Sequence, residues 1–333
     1  MTLSLTHVQA GRLRRVVWAV ALLAFGALIP GHQCSAQAPA KVVRIILPAT
    51  VGSPPDVAAR ILAQRLQTFS GESVIVESRP GAGSAIGSRA VIAAPPNGST
   101  LLFGTVSHVL APIFIQNLGY DPIKDFVSVA QVAQGSWVLV MNPRVPANSL
   151  PELVAYSKAN PGKLNIATLP ANALQLVGDA FRQQTGADVT DVNYQGLSQG
   201  MTNLLSGEVH LAFNTPATLL PLIQSGQLRA LAVTGRARDS TLPHVPTMAE
   251  AGYPGVTLGY WLGVLARAGT PPDVVTKLNA DIGAALASSE VEKTMAGLGF
   301  ERKIGSPDDF ATVLKNDLAL WTGIAAAGGI KPN

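Results

Sequence analysis

One segment of the sequence has the spacing of a hydrolytic nucleophile. Residues 196–200 read G-L-S-Q-G, and in α/β-hydrolases a G-x-S-x-G sequence turns between a strand and a helix so that its serine is exposed. Ser198 would then need an acid and a histidine further along the chain. Only His210 and His244 follow, His244 lies in a proline-flanked loop, and no HGGG-like oxyanion loop precedes the serine. A serine hydrolase with Ser198 as nucleophile is therefore an alternative that the sequence supports poorly.

Residue types that bind cofactors or metals lack the required spacing. The glycines of 79–87 run G-x-G-x-x-x-G, one residue longer than the dinucleotide fingerprint, and they follow the second predicted strand instead of the first. His108, His210 and His244 show no metal-ligand spacing, and Cys34 is the only cysteine. We expect no cofactor, no metal site and no catalytic residue.

The first 36 residues have the pattern of a secretory signal peptide. Three arginines at 12–15 precede an apolar run from Val16 to Ile29, and small residues lead to a cleavage site near Ala36. Removal of residues 1–36 would lower the number of lysines and arginines from 24 to 21, against 20 aspartates and glutamates. The nearly neutral mature chain shows no basic stripe for nucleic acid. The sequence therefore predicts an exported, periplasmic protein.

The remainder alternates between strands and helices, and this alternation predicts an α/β fold with doubly wound sheets. About 297 residues fit two such lobes better than one. Four S/T-P-P-D-like sequences predict capping boxes at helix starts. They begin at Ser53, Ser149, Thr270 and Ser306. The predicted strands are 42–48, 73–77, 100–104, 137–141, 164–168, 189–194, 209–213 and 228–234.

Residues that follow these strands are the expected ligand contacts. In open α/β sheets, ligands lie beyond the carboxyl ends of strands, near the N-termini of helices. Thr50, Val51, Gly52 and Ser53 follow the first strand and precede a helix that contains Asp56. Simple capping of that helix explains Ser53 and Asp56 equally well.

The whole mature chain resembles the Bug family, the periplasmic solute receptors of tripartite tricarboxylate-type transporters. Each similar segment is short, but their order and spacing together are specific. These segments are VRIILP (43–48), DVAAR (56–60), ESRPGAG (77–83), YDPIKDF (120–126), ANPGKL (159–164), LRALAVT (228–234), PTMAEAG (246–252) and AGTP (268–271).

The resemblance implies a two-lobed periplasmic binding fold, type II-like, with a ligand cleft between lobes joined by two crossover segments. We expect crossings near Met141 and Gly235. The first lobe would then comprise 37–140 and 236–333, and the second 141–235. The implied function is capture of a small organic anion by a monomer that delivers it to membrane permease subunits. A receptor that reports to a membrane sensor is a further alternative.

The resemblance also places the ligand at several loops of both lobes. Ser107 and His108 follow the third strand, and Asn172 stands in a second-lobe loop. Polar groups at the site are expected to come from both lobes, with Leu169 and Trp261 as apolar walls. The full predicted set is Thr50, Val51, Gly52, Ser53, Asp56, Ser107, His108, Thr168, Leu169, Asn172, Tyr194, Asn214 and Trp261.

Three departures from the family pattern bear on the ligand. Prolines at 54 and 55 replace the usual glycines and lack N–H groups. Gln195 and Asn214 stand where the family usually has lysine and aspartate. One hypothesis is therefore an aromatic or branched monocarboxylate, less charged than a tricarboxylate. The alternative is an ordinary dicarboxylate, bound through waters and the amides of Val51 and Gly52.

Overall fold

The computed structural model describes residues 42–332. The predicted signal peptide, its cleavage site near Ala36 and Cys34 lie outside these residues. Within the described part of the chain, no helix is both long and apolar enough to span a bilayer.

The first sheet has six strands in the order β11-β4-β10-β3-β1-β2. β1, β2 and β3 are parallel, whereas β10 is antiparallel to both β3 and β4. The sheet is therefore mixed, not wholly parallel as the strand–helix alternation predicted. Its strands are β1 (Val42–Leu47), β2 (Ser73–Ser78), β3 (Thr100–Thr105), β4 (Phe126–Gly135), β10 (Tyr260–Arg267) and β11 (Glu301–Arg302).

The second sheet has five strands in the order β7-β6-β8-β5-β9. β6 is parallel to β7 and β8, and β5 runs antiparallel between β8 and β9. The carboxyl ends of β6, β7 and β8 therefore share one edge. These strands are β5 (Val138–Met141), β6 (Asn165–Thr168), β7 (Thr190–Asn193), β8 (Leu211–Asn214) and β9 (Arg229–Val233).

Each sheet and the helices that follow its strands form one lobe, so the predicted two-lobed α/β architecture is confirmed. The described helices are α1 (Pro54–Ser70), α2 (Ala85–Ile92), α3 (Ser107–Phe114), α4 (Leu150–Ala159), α5 (Ala173–Thr185), α6 (Leu197–Ser206), α7 (Pro216–Gln224), α8 (Pro272–Leu286), α9 (Ser289–Gly297) and α10 (Pro307–Ala327). Helix α10 packs on β4 and α3 in the first lobe and on α5 in the second. At its end, Gln183 of α5 donates to the carbonyl of Ile324 at 3.2 Å.

The segments that cross between the lobes lie side by side. The N–H of Trp137 donates to Thr234 Oγ1 at 3.0 Å, and that hydroxyl donates to the carbonyl of Leu258 at 2.8 Å. The N–H of Thr234 also donates to the carbonyl of Trp137, and the N–H of Leu258 donates to the carbonyl of Thr234, both at 2.8 Å. Fully buried Thr234 therefore joins the three segments into one hinge.

The lobe boundaries differ from those expected. Met141 is the last residue of β5, so the chain enters the second sheet earlier, after Gly135. Residues after Gly235 remain with the second lobe, because Val233 bridges to Thr247 and Leu242 joins the second-lobe core. The chain returns to the first sheet only with β10, which no change in composition marks.

The four proline-containing helix starts lie where the sequence predicts, but their caps differ. Ser306 and Asp309 form a complete capping box. Ser149 accepts from the N–H of Glu152, whereas the Glu152 carboxylate accepts from Asn148. Ser53 and Thr270 cap nothing, because each hydroxyl donates to a carbonyl three residues earlier.

Candidate functional site

A shallow recess lies at the carboxyl edge of the second sheet. Its polar side chains belong to Thr168, Tyr194 and Asn214, which lie at or just beyond the ends of β6, β7 and β8. Its larger apolar side chains are Leu169, Leu174, Leu197, Met201 and Phe213. The structure thus brings together Thr168, Leu169, Tyr194 and Asn214 from the predicted set.

Two buried polar groups in the recess have no hydrogen-bond partner among the described residues: Thr168 Oγ1 and Asn214 Nδ2. Both residues are only 5% exposed, and their strands are neighbours. The other amide atom of Asn214, Oδ1, accepts from the N–H of Thr215 at 2.8 Å, which orients the side chain. A buried donor left unpaired costs about 1–3 kcal/mol, so this pair favours a bound acceptor such as a carboxylate.

Tyr194 adds a third neutral polar group. Its hydroxyl accepts from Asn203 Nδ2 at 3.0 Å, and a phenolic hydroxyl can also donate one hydrogen. The ring lies against Gly200 of α6, where a Cβ would be 3.2 Å from Tyr194 Cδ2. Glycine at this position therefore lets α6 approach the strand ends.

The apolar wall was largely missed by sequence reasoning. Leu197, Gly200 and Met201 are three and four residues apart, so they share one face of α6. This spacing is typical of an amphipathic helix, whereas the G-x-S-x-G pattern indicates Ser198 instead. Leu174 and Phe213 also line the recess, and neither has a sequence signal beyond its apolar character.

Asn172 does not line the recess. Its Oδ1 accepts from the N–H of Leu174 at 3.0 Å and caps α5. Next to it, the N–H of Ala171 donates to Gln175 Oε1 at 2.8 Å. The loop after β6 is thus closed by its own side chains.

In the first lobe, Asp56 is a structural residue. Its carboxylate is 2% exposed and accepts from Gly52 N–H at 2.9 Å, from Arg60 Nε at 3.0 Å and from Ser78 Oγ at 3.4 Å. The hydrogen bond from Arg60 is the main reason that the pKa of Asp56 is lowered. The predicted ligand contacts of Asp56 and of the Gly52 amide are therefore replaced by contacts within the loop.

The rest of this loop is more open. Ser53 Oγ donates to the carbonyl of Thr50 at 2.7 Å, so the hydroxyl predicted to meet a ligand is engaged. The side chains of Thr50 and Val51 are exposed, Val51 to 72%. Ser107 is half-buried at the first turn of α3, and its N–H donates to Thr105 Oγ1 at 3.3 Å.

His108 lies in the core and not at a ligand surface. It is 0% exposed, and burial lowers its pKa to about 4, so the ring is neutral at pH 7. Nε2 lies 2.9 Å from the carbonyl of Pro122; since a carbonyl can only accept, this nitrogen carries the hydrogen. Nδ1 then accepts from Ser88 Oγ at 3.3 Å.

Trp261, the predicted apolar wall, is also a core residue. It is 2% exposed, and its ring meets Phe310 edge-on with centroids 5.1 Å apart. Its indole N–H donates to Asp317 Oδ2 at 2.8 Å. Burial raises the pKa of Asp317 to about 6, against the effect of this hydrogen bond. The partner comes from α10, too distant in sequence to be foreseen.

Ser198 lies in the first turn of α6 and is exposed. Its described hydrogen bond is made by the main-chain carbonyl, which accepts from Thr202 Oγ1. His210 Nδ1 accepts from the N–H of Asn165 at 3.1 Å, and His244 is exposed in its loop. The geometry gives no support to a Ser–His pair.

The family model of the tripartite tricarboxylate transporter family receptor, TctC, matches residues 58–330. The chain belongs to this receptor family. BugT of Bordetella pertussis (strain Tohama I) is 35% identical over 299 residues, covering 88% of this TctC receptor and 91% of BugT. Members of the family are periplasmic solute-binding proteins, so the chain is a ligand-binding receptor.

Two solved structures of similar proteins contain carboxylates. R. palustris Rpa4515, with adipate, is 32% identical with a TM-score of 0.76, covering 89% of the TctC receptor described here and 99% of Rpa4515. MatC (Rpa3494) from Rhodopseudomonas palustris, with bound malate, is 27% identical with a TM-score of 0.72, and the match covers 86% of this chain and 100% of MatC. The two-lobed fold and the receptor role agree with these relatives.

Proposed function

We propose that this receptor binds the carboxylate of a small organic acid at Thr168 and Asn214, between its lobes. The observation that carries the proposal is the pair of buried, unpartnered groups, Thr168 Oγ1 and Asn214 Nδ2. They lie at the carboxyl ends of adjacent strands, and both would donate to the same carboxylate there. The Tyr194 hydroxyl completes a neutral set of donors.

Lobe closure would then enclose the acid. The hinge at Thr234 holds the crossing segments together, and a ligand that contacts both lobes shifts the population toward the closed form. The lobes also meet one helical turn from Asn214. There, a Cβ on Gly299 of the first lobe would lie 3.0 Å from Ala217 Cβ in α7. This close approach supports a ligand site that the two lobes enclose at the carboxyl edge of the second sheet.

The remaining aspects of the proposal concern the protein in the cell. A signal peptide cleaved near Ala36 exports it to the periplasm, where it acts as a monomer and without catalysis. The closed, loaded form delivers the acid to the membrane permease subunits of a tripartite tricarboxylate-type transporter. The TctC family assignment supports the periplasmic receptor role and the pairing with a tripartite tricarboxylate-type transporter.

Thr168→Val tests the site directly. Hydrogen bonds to charged groups contribute about 1.5–3 kcal/mol, so we expect affinity for the best-bound acid to fall about tenfold or more by calorimetry. Because valine removes a buried hydroxyl without changing the shape, the melting temperature of the unliganded protein should stay level or rise. A merely structural hydroxyl would show the opposite, unchanged affinity and a lower melting temperature.

Thr190→Val provides the matched control. Thr190 is exposed at the first residue of β7, at the edge away from the recess. The same loss of a hydroxyl there should leave acid affinity unchanged. Equal affinity losses in both variants would count against the assignment of the site to Thr168.

A further inference from the structure

The polar groups of the recess are sufficient for one carboxylate only. Thr168 Oγ1 and Asn214 Nδ2 are unpartnered, and Tyr194 can donate one hydrogen. A carboxylate presents two oxygens with about four acceptor positions, so a single such group has enough acceptor positions for all three donors. No further polar side chain lines the recess.

The rest of the recess is apolar. Leu169, Leu174, Leu197, Met201 and Phe213 provide its larger side chains. Tyr194 is the one ionisable residue among those that line it. A second charged group on the ligand would therefore face hydrocarbon on this side of the cleft.

Exposed apolar side chains at strand ends of both lobes add to this apolar surface. Val51 follows β1, Ile86 lies in the first turn of α2 after β2, and Leu197 lies in the first turn of α6 after β7. They are 72%, 48% and 43% exposed, respectively. A single exposed apolar residue is ordinary, but these three all stand at carboxyl ends of parallel strands, where ligands of α/β sheets lie.

Two arginines close in sequence to these first-lobe loops are already paired. Arg60 binds Asp56 at 3.0 Å, and Arg79 binds Glu77 at 2.6 Å. A second ligand carboxylate would have to break one of these pairs or bind through backbone N–H groups and water. Enclosing an unpaired carboxylate is costly, because the charge loses its water without gaining a partner.

From these observations we infer that the ligand is a monocarboxylate with an apolar body, and not a di- or tricarboxylate. This inference rests on the proposed function, because it assumes that one carboxylate binds at Thr168 and Asn214. The apolar body would lie against Leu169, Met201 and Phe213 and be covered by Val51 and Ile86 when the lobes close.

Matched pairs of acids test the inference by calorimetry on the exported protein. Hexanoate and adipate differ only by a methyl in place of the second carboxylate. Cyclohexanecarboxylate with cyclohexane-1,4-dicarboxylate, and benzoate with terephthalate, repeat the comparison for cyclic and aromatic bodies. We expect the monoacid of the best-bound pair to bind at least about tenfold more tightly than its diacid.

A charge placed in the wall should alter this preference. Leu197→Lys introduces an ammonium at a half-exposed position of the recess, so the fold should tolerate it. We expect the ratio of diacid to monoacid affinity to rise about tenfold. Thr202→Lys, on the exposed face of the same helix, adds the same charge outside the recess and should leave the ratio unchanged.

The outcomes separate this inference from the proposed function. If a diacid binds as tightly as its monoacid or more tightly, the inference is wrong, while the carboxylate receptor stands. If the folded protein binds none of the six acids, or binds the matching neutral amides equally well, the proposed function fails as well. An equal change of ratio in both lysine variants would show a long-range charge effect and overturn the assignment of the wall.

Discussion

The two lobes use similar residue types at their strand ends for different purposes. In the first lobe, Asp56 and Ser53 are satisfied by neighbours in α1, in β2 and in the loop before α1: Gly52, Arg60, Ser78 and Thr50. In the second lobe, Thr168 and Asn214 are each 5% exposed but retain unpartnered atoms. The comparison teaches that a polar residue at a strand end indicates a ligand only when its hydrogen-bonding capacity is left over.

The largest effect should come from breaking the first-lobe loop. Asp56→Ala removes the acceptor shared by Gly52, Arg60 and Ser78, and we expect the free energy of unfolding to fall by about 2–3 kcal/mol in urea titrations. Asp273→Ala is the matched control, because Asp273 ends a similar T-P-P-D sequence and is exposed. A loss at Asp273 as large as that at Asp56 would contradict the structural role of the Asp56 network.

A second effect concerns Asp317, whose partner Trp261 was expected at the ligand. Its pKa rises from the ordinary 3.8 to about 6 in the folded protein, so between these values the folded state binds more protons than the unfolded one. This group therefore makes stability fall as pH rises from about 4 to 6. Compared with Asp317→Asn, the wild type should lose about 2 kcal/mol between pH 4 and 7.

Urea titrations at several pH values measure that difference. Asparagine can still accept from Trp261, so the variant isolates the charge. The same slope of stability against pH in both proteins would show that the Asp317 carboxyl is well solvated. Ligand affinity should change little, since Trp261 is in the core and not at the recess.

The smallest expected effect concerns the second-lobe recess, where Gly200 lies against the ring of Tyr194. Gly200→Ala would place a Cβ 3.2 Å from Tyr194 Cδ2 and 3.4 Å from Ala167 Cβ. The shifted ring should lower acid affinity a few-fold by calorimetry. Stability should change by less than about 1 kcal/mol, because alanine also favours the helix.

Gly283→Ala controls for helix propensity alone. Its Cβ would lie 3.7 Å from Ile304 Cγ2, an ordinary contact, so it should stabilise α8 without altering affinity. Unchanged affinity in Gly200→Ala would mean that the position of the Tyr194 ring does not matter to the ligand.

Much of the fold was predictable because its strands are short apolar runs between turns. All eight strands predicted from the sequence are present, with ends shifted by at most two residues. β4 was missed because buried Ser128 and Gln131 interrupt its apolar character. In β10, Gly263 interrupts the apolar run. That glycine is required, since a Cβ there would lie 2.2 Å from Phe310 Cζ.

For the candidate site, the family resemblance supplied the residues at the second-lobe strand ends. Thr168, Leu169, Tyr194 and Asn214 lie at one edge because the parallel strands β6, β7 and β8 end there. The core positions of His108 and Trp261 depend on Pro122 and Asp317, partners that approach from other elements. Such long-range pairing carries no local signal, so these two residues were assigned wrongly to the cleft.

The position of β10 has a consequence for how the exported chain folds. This strand lies between β3 and β4 in the first sheet, yet it is synthesised after the entire second lobe. Until it is synthesised, β3 lacks a partner along one edge, and β4 lacks both of its partners because β11 follows later still. Non-local pairing of this kind slows folding and leaves edges open to aggregation. The second lobe, continuous in sequence from β5 to β9, can form its sheet first, and the chain from β10 onward then completes the first lobe.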